Sequence, residues 1–152
     1  MVLEYFEFYR GNLVNGFDYY YGKLTDEHAF LLKVPKTAGL LPAEVTEPTF
    51  DFNRAFADRI AATPALRQYA GMWTDTTFQW QAMSKQMEMF IQGWAHEYNG
   101  QSDTLGGNDE WGLRVKYDDN AEEQRYWGVN RYTDNFDEFT RWFDSLASRR
   151  IR

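Results

Sequence analysis

The side chains best suited to chemistry in this sequence are two histidines, His28 and His96, and a run of acids between Glu97 and Glu123. Neither histidine has a companion at metal-ligand spacing, so a zinc site would need both imidazoles to meet in space with a carboxylate such as Glu97. Asp103, Asn108, Asp109 and Glu110 place hard oxygen donors in one loop, but they do not follow the spacing of a calcium-binding EF-hand loop. The pairs Asp118/Asp119 and Glu122/Glu123 could do acid–base work only where burial retunes their pKa values, and they read as an exposed turn. No nucleophile elbow, Walker loop or dinucleotide fingerprint occurs, and Gly106-Gly107 alone does not imply phosphate binding. The absence of cysteine excludes disulfides, thiolate zinc sites and thiol nucleophiles together. The sequence therefore assigns no catalytic residue, no metal ligand and no cofactor, and the expectation is a protein that is not an enzyme.

What remains is charge and aromatic surface. Eight acids lie from Glu97 to Glu123, namely Glu97, Asp103, Asp109, Glu110, Asp118, Asp119, Glu122 and Glu123. Only Arg114 and Lys116 oppose them, so this segment carries −6 of the chain's net −7. A domain that binds nucleic acid must displace phosphate counterions and is usually basic, so direct nucleic-acid binding is not expected. The same sign disfavours an anionic membrane surface. The acidic segment reads as a solvated hairpin or as a docking face for a basic partner. Aromatic residues make up 18% of the chain, with twelve Phe, ten Tyr and six Trp. They can fill a small core, and any surplus can anchor a contact.

These features lead to an expectation of protein binding through residues 97–127. The partner would be another protein with a basic surface, attracted by charge and then held by buried aromatics. The expected contact residues are Trp94, Tyr98, Asp109, Glu110, Asp118, Asp119, Glu122, Glu123, Tyr126 and Trp127. Two alternatives stand beside it. One is a phage or mobile-element inhibitor of bacterial defence, of the anti-CRISPR kind, whose acids would occupy a basic nucleic-acid channel. The other is a small-ligand or peptide-binding domain with an aromatic-lined pocket.

The elements that must position these residues follow from periodicity. A chain of 152 residues with 43% apolar and 26% charged residues suits a single folded domain spanning 1–152. No stretch approaches the roughly 18 apolar residues of a membrane-spanning helix. Neither a basic leader nor an apolar signal core is visible, so a cytoplasmic protein is expected. Residues 2–10, 17–24 and 28–34 are rich in aromatic and β-branched types, and they predict three strands in an antiparallel meander. Pro35, Pro42 and Pro48 mark a connection over 35–50. Helical spacing follows over 51–62, and Thr63-Pro64 suits a helix restart running to Gly71. A longer helix capped at Thr76 or Thr77 would carry Trp80, Met83, Met87, Phe90, Ile91 and Trp94 as its apolar stripe.

After a turn-rich stretch from Asn99 to Asn108, the residues Trp111, Leu113, Val115 and Tyr117 alternate with Gly112, Arg114 and Lys116. They predict a half-buried strand, and 124–130 returns as its hairpin partner. Asp134 would cap a final helix with Phe136, Phe139, Phe143 and Leu146 inward. Asp137 and Glu138 stand in its first turn and Arg149, Arg150 and Arg152 at its end, as the helix dipole prefers. Grouped strands and grouped helices give an α+β fold, an N-terminal three-strand meander plus a C-terminal β-hairpin, packed by about three to four helices.

Residues 108–146 resemble a pattern in small uncharacterised bacterial proteins. In those chains a strand of the form Trp-x-Leu-x-Ile/Val-x-Tyr is followed by an acidic turn and a strand ending Gly-x-Asn-x-Tyr-Pro-x-Asn-Phe, then a helix. The matching residues here are Trp111, Leu113, Val115 and Tyr117, then Gly128, Asn130, Tyr132, Asn135 and Phe136. Thr133 stands where proline is usual, and Gly107-Asn108 where an Asp-Gly pair often precedes the tryptophan. The resemblance implies a hairpin–helix fold with Asn130 and Asn135 bonded to backbone in the turn, and it implies no reaction.

Overall fold

A computed structural model of the chain describes residues 2–12, 15–24, 28–34, 73–100, 108–119 and 122–148. Seven strands form one sheet: β1 (Leu3–Asn12), β2 (Gly16–Leu24), β3 (Ala29–Val34), β4 (Trp73–Asp75), β5 (Glu97–Asn99), β6 (Glu110–Tyr117) and β7 (Gln124–Val129). Their order across the sheet is β4-β3-β2-β1-β6-β7-β5. Every pairing is antiparallel except β5 with β7, which is parallel. The meander and the hairpin therefore join through β1 and β6, from Leu3↔Tyr117 to Gly11↔Glu110. A register shift between Leu3 and Tyr5 explains how Leu3 and Phe6, three residues apart, both reach the core. An extra residue in one strand of a pair resets the alternation of faces.

Among the described residues two helices pack on one face of this sheet: α1 (Trp80–Ile91), entered through a 3-10 turn at Thr77–Gln79, and α2 (Phe136–Ser148). On α1 the buried residues Trp80, Met83, Ser84, Met87 and Ile91 recur at the helical period. On α2 they are Phe136, Phe139, Phe143 and Leu146. Rings make the contact between layers. Phe8 stacks on Phe143 at 5.0 Å and meets Phe139 edge-on at 5.2 Å, and Phe6 stacks on Trp80 at 5.9 Å. The Trp80 indole N–H donates to the Leu3 carbonyl at 2.7 Å, so its polar edge is satisfied inside the core. Among the described residues no helix is long and apolar enough to cross a membrane.

The α+β class, the meander, the hairpin and the final helix stand where periodicity places them. The helix count does not: the described residues hold two α-helices instead of three to four. The connection over 35–50 and the helices expected over 51–62 and from Thr63 to Gly71 lie outside the described residues. The same holds for the side chains of Arg149, Arg150 and Arg152. Trp94 leaves the α1 stripe, because the helix ends at Ile91 and Gly93 turns the chain at φ 82°. Asp134 lies exposed in the turn before α2, and the helix starts at Phe136 with its N–H on the Thr133 carbonyl at 3.2 Å. Two three-residue strands, β4 and β5, are too short to leave a periodic signal.

Candidate functional site

The β6–β7 hairpin positions the acids, and it divides them. At its open end Asp109 is half-buried and held by Arg10, whose Nη2 lies 2.7 Å from Oδ2. The Tyr132 hydroxyl donates to the same oxygen at 2.5 Å. Arg10 lies over the Phe136 and Tyr132 rings, 5.3 and 5.6 Å from their centroids, so the ion pair is fixed against the core. Asn130 adopts φ 52° and accepts the Asp109 backbone N–H at 2.8 Å, which ties the start of β6 to the end of β7. Glu97 is exposed and Glu110 half-buried at this same end.

At the closed end Glu123 is enclosed in a charge cluster. Its side chain is only 17% exposed. It accepts from the Tyr5 hydroxyl, from Arg125 Nε at 2.5 Å and, more distantly, from Arg114 Nη1 at 3.5 Å. Arg114 also spans to Glu7 at 3.3 Å and lies over the Tyr5 ring at 5.5 Å. Burial raises the Glu123 pKa, but the bonds from Tyr5 and Arg125 and the charge of Arg114 outweigh it and hold the carboxyl below its ordinary value. Burial and the bond to Glu123 push Tyr5 up to about 12. Asp118, Asp119 and Glu122 are exposed at this end, and Asp118 accepts the Val2 backbone N–H at 2.9 Å. Asp103 lies outside the described residues. The acids thus gather at two ends of a strand roughly 23 Å long, with Asp109 and Glu123 neutralised inside the fold.

The expected aromatic anchors separate in the same way. Tyr126 is buried, 6% exposed, and cannot serve as an exposed anchor. Trp94 meets it edge-on at 5.6 Å, and His96 stacks on it at 5.0 Å. Tyr98 lies against Trp111 at 5.8 Å, and its hydroxyl accepts the Ala95 N–H. Trp127 stands on the opposite face of the sheet and is 37% exposed.

Between the last turn of α1 and the hairpin lies an open cleft of about 630 Å³. Tyr117, Tyr126 and Trp94 form its aromatic base, with Ile91, Gln92, Gly93 and Gln124 between, and Met89, Glu88 and Lys85 stand at its α1 side. Met89 is 67% exposed. Burial raises the Tyr117 pKa, and the charges of Glu88 and Asp119 raise it further. The C-terminal end of α1 adds the partial negative charge of its carbonyls. Lys85 is the opposing charge, one turn earlier on the helix. A cleft with a ring-lined base, the Glu88 carboxylate at its rim and helix carbonyls beside it can take a cation. Of the cleft residues, sequence reasoning selected Trp94 and Tyr126 but missed Glu88, Met89 and Tyr117. Glu88 and Met89 sit on the polar side of the α1 stripe, and Tyr117 reads as core.

The two histidines do not meet. His28 precedes β3 and His96 precedes β5, five strand spacings or roughly 24 Å apart across the sheet. Among the described residues no three His, Asp or Glu side chains converge on a metal site. No family model, curated protein or solved structure matches this chain.

Proposed function

We propose that this chain is a non-enzymatic binding protein whose partner is a protein with a basic surface. A Lys or Arg side chain of that partner enters the cleft between α1 and the hairpin. The observation that carries the reading is the ring-lined cleft of about 630 Å³ with the Glu88 carboxylate at its rim, beside the carbonyl end of α1. Exposed Asp118 and Glu122 near the hairpin turn extend the negative field that draws the partner in. The entering cation then exchanges water for ring faces, helix carbonyls and the Glu88 carboxylate. A contact of this kind is worth about 0.5–2 kcal/mol, depending on desolvation. Exposed acids at two separate ends favour such a local contact over mimicry of a phosphate row. The absence of cysteine fits an intracellular setting.

The test is a titration of isotope-labelled protein with a short oligolysine peptide, followed by NMR. Amide shifts should cluster at Glu88, Gly93 and Asp119 and at the Trp94 indole. Glu88→Lys should abolish them. Glu138→Lys, which changes net charge equally at an exposed position of α2, should leave them in place. Shifts scattered over the surface, or equal loss in both variants, would refute the reading.

A further inference from the structure

The face of the sheet opposite the helices carries a second opening, independent of the cleft. Register puts Tyr9, Gly112 and Trp127 in one row across β1, β6 and β7, and Glu7, Arg114 and Arg125 in the next. Because Gly112 has no side chain, Tyr9 and Trp127 face each other across two strand spacings, roughly 10 Å between backbones. The Tyr9 ring leans over the glycine, where a Cβ would stand 2.4 Å from ring carbons. Tyr9 is itself braced edge-on by Phe17 at 5.5 Å and flanked by Tyr19 at 6.0 Å. A trough of about 360 Å³ remains between these aromatic walls.

The groups left open along the trough include strong donors, and the Tyr9 hydroxyl can donate or accept. Both oxygens of Glu7 accept from Arg114, at 3.3 and 3.4 Å. Both oxygens of Glu123 accept from its neighbours Tyr5, Arg114 and Arg125. By contrast the Trp127 indole N–H, the Tyr9 hydroxyl and the terminal nitrogens of Arg125 have no acceptor among the described residues. The Arg125 side chain is 75% exposed. A suitable ligand therefore supplies acceptors and compact apolar rings. An anion would meet Glu7 and Glu110, whose charges, after burial, raise the Tyr9 pKa.

We propose that this trough binds an extended proline-rich peptide segment, with proline rings between Tyr9 and Trp127 and its carbonyls accepting from Trp127 and Arg125. Proline has no backbone N–H, and a polyproline II helix leaves its carbonyls free to accept. Its fixed backbone also loses little entropy on docking into an aromatic groove.

The probe is a ten-residue oligoproline peptide, with a glycine–serine peptide of equal length and a neutral oligosaccharide as comparisons. Binding is followed by NMR at the Trp127 indole N–H, assigned as the signal lost in Trp127→Phe. Oligoproline should shift that signal saturably, and the other two probes should not. Trp127→Ala should weaken binding about 30-fold, the size of an interface hot spot. Trp127→Phe keeps the ring and loses the donor, so it should weaken binding less and keeps the test open if the alanine variant fails to fold. An equal response to glycine–serine, a preference for the oligosaccharide, or unchanged affinity in both variants would overturn the proposal.

Discussion

The indole Nε1 of Trp94 donates to Oδ1 of Asn135 at 2.9 Å, tying the chain that leaves α1 to the turn that enters α2. Oδ1 also accepts from Thr133 Oγ1 at 2.9 Å, and Nδ2 donates to the Phe90 carbonyl at 2.9 Å. That carbonyl belongs to the last turn of α1, where acceptors lack a partner within the helix. One carboxamide thus fixes the wall of the cleft. Asn135→Ala should cost about 2 kcal/mol, which lowers the melting midpoint by roughly 4–8 °C for a chain of this size. Thermal unfolding followed by circular dichroism measures it, and an unchanged midpoint would contradict this role.

Two glycines should respond differently to the same substitution. A Cβ on Gly128 would lie 2.3 Å from the Trp111 indole nitrogen and 2.6 Å from the Arg131 carbonyl oxygen. Gly128→Ala must push Trp111 aside and should cost about 3 kcal/mol, at the upper end for overpacking. Gly93 has φ 82° and open space around it. Gly93→Ala should cost only the left-handed backbone penalty, about 1–2 kcal/mol. Urea unfolding of the two variants gives the comparison directly.

The Tyr5–Glu123 bond should shape stability at both ends of the pH scale. The Glu123 pKa is lowered by folding, so its contribution is complete above the ordinary glutamate value and is lost as pH falls through the lower folded value. The Tyr5 pKa is raised to about 12, so its contribution is complete below the ordinary tyrosine value and is lost as pH rises toward that figure. Glu123→Gln should flatten the acid limb of a urea-midpoint profile, and Tyr5→Phe the alkaline limb. Parallel profiles for wild type and both variants would show that folding does not perturb these groups.

The five longer strands and α2 were legible because one face of each is buried, and burial writes a period into the sequence. Trp111, Leu113, Val115 and Tyr117 alternate and lie inward, while Gly112 and Arg114 face the other way. The end of α1 was less legible. Trp94 continues the apolar spacing, so only the local turn at Gly93 reveals that it belongs to the hairpin's neighbourhood. The acids were legible as a composition but not as a site. Asp109 and Glu123 are neutralised by Arg10, Tyr5 and Arg114, which come from distant parts of the chain. A count along the sequence cannot see partners that only sheet pairing brings close. Glu88, on α1, comes to the same cleft as Trp94 and Tyr126 for the same reason.

The most direct measurement is the affinity of the protein for oligolysine as a function of ionic strength, for wild type and for Asp119→Asn and Glu122→Gln. Salt largely screens exposed charges more than about 10 Å apart at an ionic strength of about 0.1 M. Wild-type binding should weaken steadily as salt rises. Each variant should bind roughly two- to fivefold more weakly at low salt, with a shallower salt slope. Affinity that is indifferent to salt, or untouched by either substitution, would contradict docking of a basic partner at this end of the hairpin.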